Sequence, residues 1–234
     1  MTADLSNWTP RPFPAPVVLE GRYARLEPLD PVRHADGLFA ALMGEQADQD
    51  HLFLFETTMD RPTFQNWIEA KAKRTDILCH VVVDRATGRI GGRQDAMRID
   101  QAHGVIEIGS IHWGPSIART RVATEALFLH ADHAFSALGY RRYEWKCHNG
   151  NTRSKRAAKR FGFTFEGLFR QHMVAKGMNR DTAWFSIIDE EWPELKAGYT
   201  KWLAAENFDA TGQEKASLAQ CGVRPGGSIS WQDV

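Results

Sequence analysis

The stretch from Asn151 to Gly167 constrains the fold more than any other part of the chain. Asn151-Thr-Arg-Ser154 opens a short amphipathic run, and Phe161-Gly162-Phe163-Thr-Phe165-Glu-Gly167 closes it. Before it, Arg141–Cys147 alternates, with Tyr143, Trp145 and Cys147 facing one way and Arg142, Glu144 and Lys146 the other. The pattern reads as strand, capped helix, glycine stop, strand. A helix start of this kind offers unpaired backbone N–H groups and a positive dipole end. A second junction lies upstream, where strand-like Val105–Trp113 leads through Arg119 and Arg121 into a helix starting near Ala123. Two basic helix starts behind two strands suggest a phosphate-bearing ligand.

The rest of the chain supplies the layers around these junctions. Val17–Leu29 keeps strand character across Gly21. Asp30-Pro31 and Arg61-Pro62 each open a helix, with proline in the first turn. Gln46–Thr58 between them reads as a loop with an apolar patch, Leu52–Phe55. Ile77–Val83 is a continuous apolar run, the mark of a strand covered on both faces. Arg89–Ile99 returns after the Thr87-Gly88 turn, and Val105–Trp113 follows the Gln101–Gly104 turn. Ala123, Ala126, Leu127, Ala131, Ala134, Phe135 and Leu138 form one helical stripe that Gly139 stops. Phe163–Gln171 and Asp181–Ile188 read as strands, and Glu190–Ala204 as a helix.

The resulting order is β-α-α-β-β-β-α-β-α-β-β-α. It predicts an α/β (α+β) domain: a mixed, mostly antiparallel sheet of about six to seven strands with helices on both faces. Residues 1–16 hold four prolines and read as an extended arm. Residues 17–206 read as a single domain. Residues 207–234 are polar and Gly-rich and read as a loosely held tail.

Composition excludes several function classes. Lys+Arg and Asp+Glu are 29 each among 234 residues, so the formal net charge is zero and nothing favours a nucleic-acid partner. No apolar run approaches the roughly 20 residues of a membrane helix, and no signal peptide is visible. The three cysteines, Cys79, Cys147 and Cys221, are far apart and fit a reducing, cytoplasmic setting without disulfides. There is no HExxH and no His/Cys cluster at zinc spacing, so no metal is expected.

Five short blocks occur in a telling order: Gly88-Arg-Ile-Gly-Gly92, Glu107-Ile108-Gly109, Ala123-Thr124-Glu125-Ala126, Asn151-x-x-Ser154 and Gly162-Phe163-x-x-Glu166-Gly167. With them the chain resembles the GCN5-related N-acetyltransferase (GNAT) superfamily over residues 15–190. The similar branch is that of the ribosomal-protein N-terminal (RimJ/RimL-type) acetyltransferases. The resemblance implies acetyl-CoA as co-substrate and a primary amine as acceptor, in a small molecule or at a peptide or protein N-terminus. It also implies a central parallel strand pair that splays, so that the pantetheine arm pairs with backbone near Ile111, His112 and Trp113. The family's pyrophosphate loop is Gln/Arg-x-x-Gly-x-Gly/Ala. With Ala123 as its last member, Ala118 and Arg121 depart from that pattern. The expected diphosphate contacts are Arg119, Thr120, Arg121, Val122, Ala123 and Thr124, with Arg119 and Arg121 adding charge. Asn151 is the expected side-chain anchor beside the arm, and equally a plain N-cap.

An amine must be neutral to attack a thioester, so a base is needed. Glu107, flanked by Ile106 and Ile108, is the first candidate; a partly buried Glu paired with an arginine is the other reading. His112 is the second candidate. It points opposite to Glu107 unless a bulge near Gly109 resets the alternation. Many relatives protonate the leaving thiolate with a Tyr whose place here is taken by Ala158. Ser154, which matches the closer branch, is the replacement candidate, or simply a small polar residue in a first helical turn. Cys147 lacks the adjacent base that a nucleophile requires. His130 and His133 read as surface or packing residues. The acceptor region offers Phe53, Phe55, Glu56, Trp67, Phe169, Arg170, His172 and Met173. A catalytically silent CoA-binding protein is the competing reading, motivated by the altered loop. A monomer and a homodimer are both compatible with the aromatic C-terminal helix.

Overall fold

Asp30 and Asp60 each cap a helix with a side-chain oxygen, and each helix carries proline in its first turn. These helices, α1 (Pro31–Leu42) and α3 (Arg61–Ala72), flank a one-turn helix, α2 (Ala47–Asp50), inside the segment expected as loop. The computed structural model describes residues 4–226. The remaining helices are α4 (Arg121–Asp132), α5 (Thr152–Arg160) and α6 (Trp192–Leu203). A π-helical turn over His133–Ala137 continues α4.

The strands are β1 (Leu19–Glu20), β2 (Ala24–Pro28), β3 (Leu78–Asp84), β4 (Ile90–Asp100), β5 (Val105–Trp113), β6 (Arg142–His148), β7 (Thr164–Ala175) and β8 (Met178–Ile188). They form one eight-stranded sheet in the order β1-β2-β3-β4-β5-β6-β8-β7. Among the described residues only β5 and β6 pair in parallel. The sheet thus has one strand more than the expected range, because Gly21 splits the first predicted strand in two. The chain turns there around Glu125 of α4, whose carboxylate accepts the N–H groups of Arg22, Tyr23 and Ala24 at 2.9, 2.5 and 2.6 Å.

Helices cover both faces. α1 and α3 bury Leu38, Leu42, Phe64 and Ile68 against Val81 and Val83. α4 and α6 bury Leu127, Ala131, Leu195 and Trp202 in a larger cluster with Ile106, Ile108, Tyr143, Trp145 and Cys147. The continuous apolar run in β3 is therefore explained by burial on both sides. Each fully buried Leu, Ile or Phe of these clusters contributes about 2 kcal/mol of transfer free energy.

The C-terminal stretch differs from its expectation. Phe208, Leu218, Cys221 and Val223 are buried and join the larger cluster. Glu214 accepts the Trp202 indole N–H at 2.7 Å. Polar, Gly-rich composition masked a spaced set of anchors. Residues 1–3 of the expected arm and 227–234 of the expected tail lie outside the described residues.

Candidate active site

β5 and β6 part after three register pairs, Val105–Arg142, Ile106–Tyr143 and Glu107–Glu144. Beyond them β5 runs on to Trp113 and β6 to His148, with no pairing between the two. The facing backbone groups of this wedge are left without a strand partner, which makes it a receptor for an extended chain.

A bulge helps to set the wedge. On β4, Arg93 pairs with His112 and Asp95 with Gly109, so β5 carries one extra residue there. Ser110 takes up the excess at φ +50°. Its carbonyl accepts from Arg93 Nη1 at 2.6 Å. Arg93 is almost fully buried and also pairs with Glu56, which ties the loop after α2 to the bulge. The bulge places Glu107 and His112 on the same face of β5, with Met97, Asp95 and Arg93 of β4. Gly109 lies between them, where an added Cβ would stand 2.4 Å from Met97 Sδ and 3.1 Å from a Glu107 oxygen.

Glu107 is 2% exposed. Arg98 Nη1 reaches its Oε1 at 2.6 Å and Lys146 Nζ its Oε2 at 2.8 Å. A second bulge, with Arg98 at φ +45°, helps to bring Arg98 to this position. Burial raises the Glu107 pKa above the ordinary carboxylate value, opposed by the charges of Lys146 and Arg98. His112 sits in a different setting. It packs edge-on to His51 at 4.7 Å between ring centroids. Burial, with Arg93 and His51 adding to it, lowers its pKa to about 3. That environment favours the neutral imidazole and makes it weakly basic.

Over the Glu107 ion pairs lies a cavity of about 160 Å³, lined by Arg98, Lys146, His172, Met173, Arg180, Thr182 and Trp184. Phe55 packs under the Arg180 guanidinium at 4.7 Å, and Lys176 of the β7–β8 hairpin donates to His51 O at 2.8 Å. The hairpin and the loop after α2 thus close on each other beside the cavity.

The start of α4 lies beyond the end of β5. Thr120 is its N-cap, accepting from Val122 N at 3.2 Å. Arg119 adopts φ +65°, a conformation that favours glycine, and its side chain is exposed. The amides of Arg119, Arg121 and Ala123 have no acceptor among the described residues. Such a run of free N–H groups suits a diphosphate. Arg121 does not turn its charge to this cradle as expected. Its guanidinium lies over the rings of Tyr23 and Phe208, at 4.4 and 5.2 Å. Thr124 is buried and its hydroxyl accepts from Arg160 at 3.0 Å.

At the start of α5, Asn151 Oδ1 accepts from Ser154 N at 3.0 Å, so the N-cap reading holds. The Ser154 hydroxyl accepts the Trp145 indole N–H at 2.9 Å, which leaves its own proton to donate. Burial raises the Cys147 thiol to about 11, against any nucleophilic role.

Residues 25–164 match the family model described as the acetyltransferase (GNAT) domain. The chain belongs to the GNAT acetyltransferase family. A GCN5-related N-acetyltransferase from Brucella melitensis, known by crystal structure, is 57% identical, with TM-score 0.91 over 93% of this chain and 99% of that one. The "Uncharacterized N-acetyltransferase p20" of Bacillus licheniformis is 31% identical over 53% of this chain and 67% of its own. The "Putative ribosomal N-acetyltransferase YdaF" of Bacillus subtilis (strain 168) is 25% identical over 71% of this chain and 90% of its own, in keeping with the RimJ/RimL-type branch. The chain is therefore an N-acetyltransferase, and enzymes of its family take acetyl-CoA as co-substrate.

Within this GNAT framework the sequence blocks converge on one region. Ile111, His112 and Trp113 border the wedge, Thr120 to Thr124 begin α4, and Asn151 and Ser154 begin α5. Of the expected acceptor-side residues, Phe55, His172 and Met173 lie at the cavity, Phe53 packs on His148, and Phe169 stacks on Trp184. Glu56 and Trp67 serve Arg93 instead. Sequence reading missed Arg98, Lys146, Arg180, Thr182 and Trp184 as cavity residues. Only Lys146 left a signal, through its alternation with Glu144 opposite the β6 core face. Among the described residues no group of His, Cys, Asp or Glu could hold a metal ion, and no helix is long and apolar enough to cross a membrane.

Proposed function

We propose that this protein transfers the acetyl group of acetyl-CoA to a primary amine by direct attack within a ternary complex. The observation that carries this reading is the wedge between β5 and β6, with Glu107 at its narrow end and free amides of α4 beyond its open end. Acetyl-CoA supplies an activated acyl carbon as its thioester. The α4 amides and exposed Arg119 hold the diphosphate, and the unpaired edge of β5 at Ile111–Trp113 aligns the pantetheine arm. Val122, Ala123 and Thr124 complete the helix start, while Asn151 holds the opposite wall. Glu107, ionised between its two cations, draws the proton from the incoming ammonium, directly or through a water. The amine nitrogen bonds to the carbonyl carbon and the C–S bond breaks. The nitrogen then sheds its second proton, to solvent where the sulfur, hydrogen-bonded by the Ser154 hydroxyl, leaves as the thiolate, or to that sulfur where it leaves as the thiol.

The name of the Bacillus subtilis relative, a putative ribosomal N-acetyltransferase, supports an amine of a protein, and the cavity also has room for a small amine. The test is thiol release from acetyl-CoA with a panel of small amines and peptides, alongside calorimetric titration of acetyl-CoA. Turnover with any member supports transfer. Binding without turnover across the panel would favour a silent CoA-binding protein, and no binding would remove both readings.

A further inference from the structure

The ionic groups around Glu107 form a closed series. Arg98 pairs with Glu107, Lys146 with Glu107 and Glu144, and Arg142 with Glu144 and Glu166. Cations and carboxylates in that series are equal in number. Arg180 stands outside it. Its side chain projects from β8 into the cavity, and the residue is only 7% exposed. Its Nε donates to Thr182 Oγ1 at 3.3 Å and Phe55 covers one face of its guanidinium, but among the described residues no carboxylate pairs with it. The two terminal nitrogens have no acceptor there. Asp181, the adjacent acid, is engaged by Gln171 N and Asn179. A buried guanidinium without a counter-ion is costly, and its planar fork matches a carboxylate. His172 and Thr182 line the same cavity and supply further polar contacts.

We propose that the acceptor is an amine that also carries a carboxylate, with the amine directed to Glu107 and the carboxylate held by the terminal nitrogens of Arg180. This rests on the acetyl-transfer reading and narrows its acceptor. Arg98, Lys146 and Arg180 give the cavity a cationic lining, with Glu107 beneath the first two, so the anionic end of such a molecule meets Arg180 while its amine, neutral when it reacts, approaches Glu107 past its ion pairs. An amine without an anionic group leaves Arg180 desolvated and unpaired, which is how a site rejects a substrate.

The test compares matched acceptors on the wild-type enzyme. One arm sets free amino acids against their α-carboxamides. The other sets peptides with Asp or Glu near the free N-terminus against their Asn or Gln counterparts. In at least one arm kcat/KM favours the carboxylate by about 30-fold or more, the scale of a buried charge pair. In Arg180→Gln that ratio collapses toward unity, carried mostly by KM, and Arg180→Lys restores part of it. The wild-type ratio needs no variant, so a poorly folding substitution leaves the test intact. Equal use of both members in both arms overturns the inference while leaving acetyl transfer standing. So does an Arg180→Gln variant that loses acetyl-CoA affinity in the absence of acceptor, because the cation then serves the cofactor. If acetyl-CoA binds but no amine is acetylated, the transfer reading falls and this inference falls with it.

Discussion

Glu107 and His112 share a face of β5 because Ser110, at φ +50°, absorbs one residue of the strand's alternation. Their environments then separate them. Two cations hold Glu107, while His112 is buried beside Arg93 and His51. A carboxylate that burial makes more basic and an imidazole that burial makes less basic have exchanged their usual order as proton acceptors. This points to Glu107 as the base.

Glu107→Gln should therefore lower kcat about 100-fold or more at neutral pH, the usual scale of a general base. Gln keeps the shape and can still accept from Arg98, so acetyl-CoA affinity by calorimetry should change little. The wild-type pH profile should show kcat/KM falling as pH drops through the raised Glu107 pKa, because the base must be ionised. The variant should lose that acid limb. A limb that survives unchanged would assign the proton to another group.

Lys146→Met probes the same carboxylate from the other side. Lys146 and Arg98 both favour the charged form of Glu107 against burial. Removing Lys146 leaves burial less opposed, so the acid limb should move to higher pH. The measurement is the kcat/KM profile with one fixed acceptor. A shift to lower pH would contradict the ion pairs described here.

Much of the fold was legible because its signals are local and repeated. The bounds expected for β5 match those observed, and the alternation of β6 placed Tyr143, Trp145 and Cys147 in the core. Other features depend on contacts between distant residues. β7 and β8 extend to Ala175 and Met178, beyond the bounds expected from sequence, because this exposed hairpin is held by ladder hydrogen bonds and has no buried stripe to read. The charge of Arg121 was visible, but Tyr23 and Phe208, which hold it, lie far away in sequence. The cavity draws Arg98 from a bulge in β4 and Arg180 from the start of β8, and only the assembled sheet brings them together.

Glu125 is the acid of the Ala-Thr-Glu-Ala block, and its work is structural. One buried carboxylate receives three consecutive amides of the β1–β2 turn. Glu125→Gln replaces one acceptor oxygen with a donor facing those amides. The variant should lose about 2–4 kcal/mol of unfolding free energy in urea titration, the scale of buried charge-assisted hydrogen bonds. Folded variant should retain acetyl-CoA affinity within a few-fold. A stability loss below about 0.5 kcal/mol would show that water satisfies the turn as well as Glu125 does.

His80 should make the protein acid-sensitive by a route separate from the active site. It is buried between the sheet and α4, against His130 at 5.9 Å, with His133 adding a further like charge when protonated. Val17 O at 3.2 Å and the more distant Asp95 favour its protonated form, but burial prevails and lowers its pKa to about 4. Above the unfolded-state value near 6.5 the imidazole is neutral in both states and has no effect on the balance. As pH falls from there toward 4, the unfolded chain takes up the proton and the folded one does not, so stability declines. Over that window His80 alone accounts for roughly 3 kcal/mol, and His130, whose pKa burial also lowers well below the ordinary value, steepens the fall. Urea midpoints measured from pH 7 to pH 4 should drop accordingly, and His80→Leu should flatten part of the slope. An unchanged slope in that variant would place the acid sensitivity elsewhere.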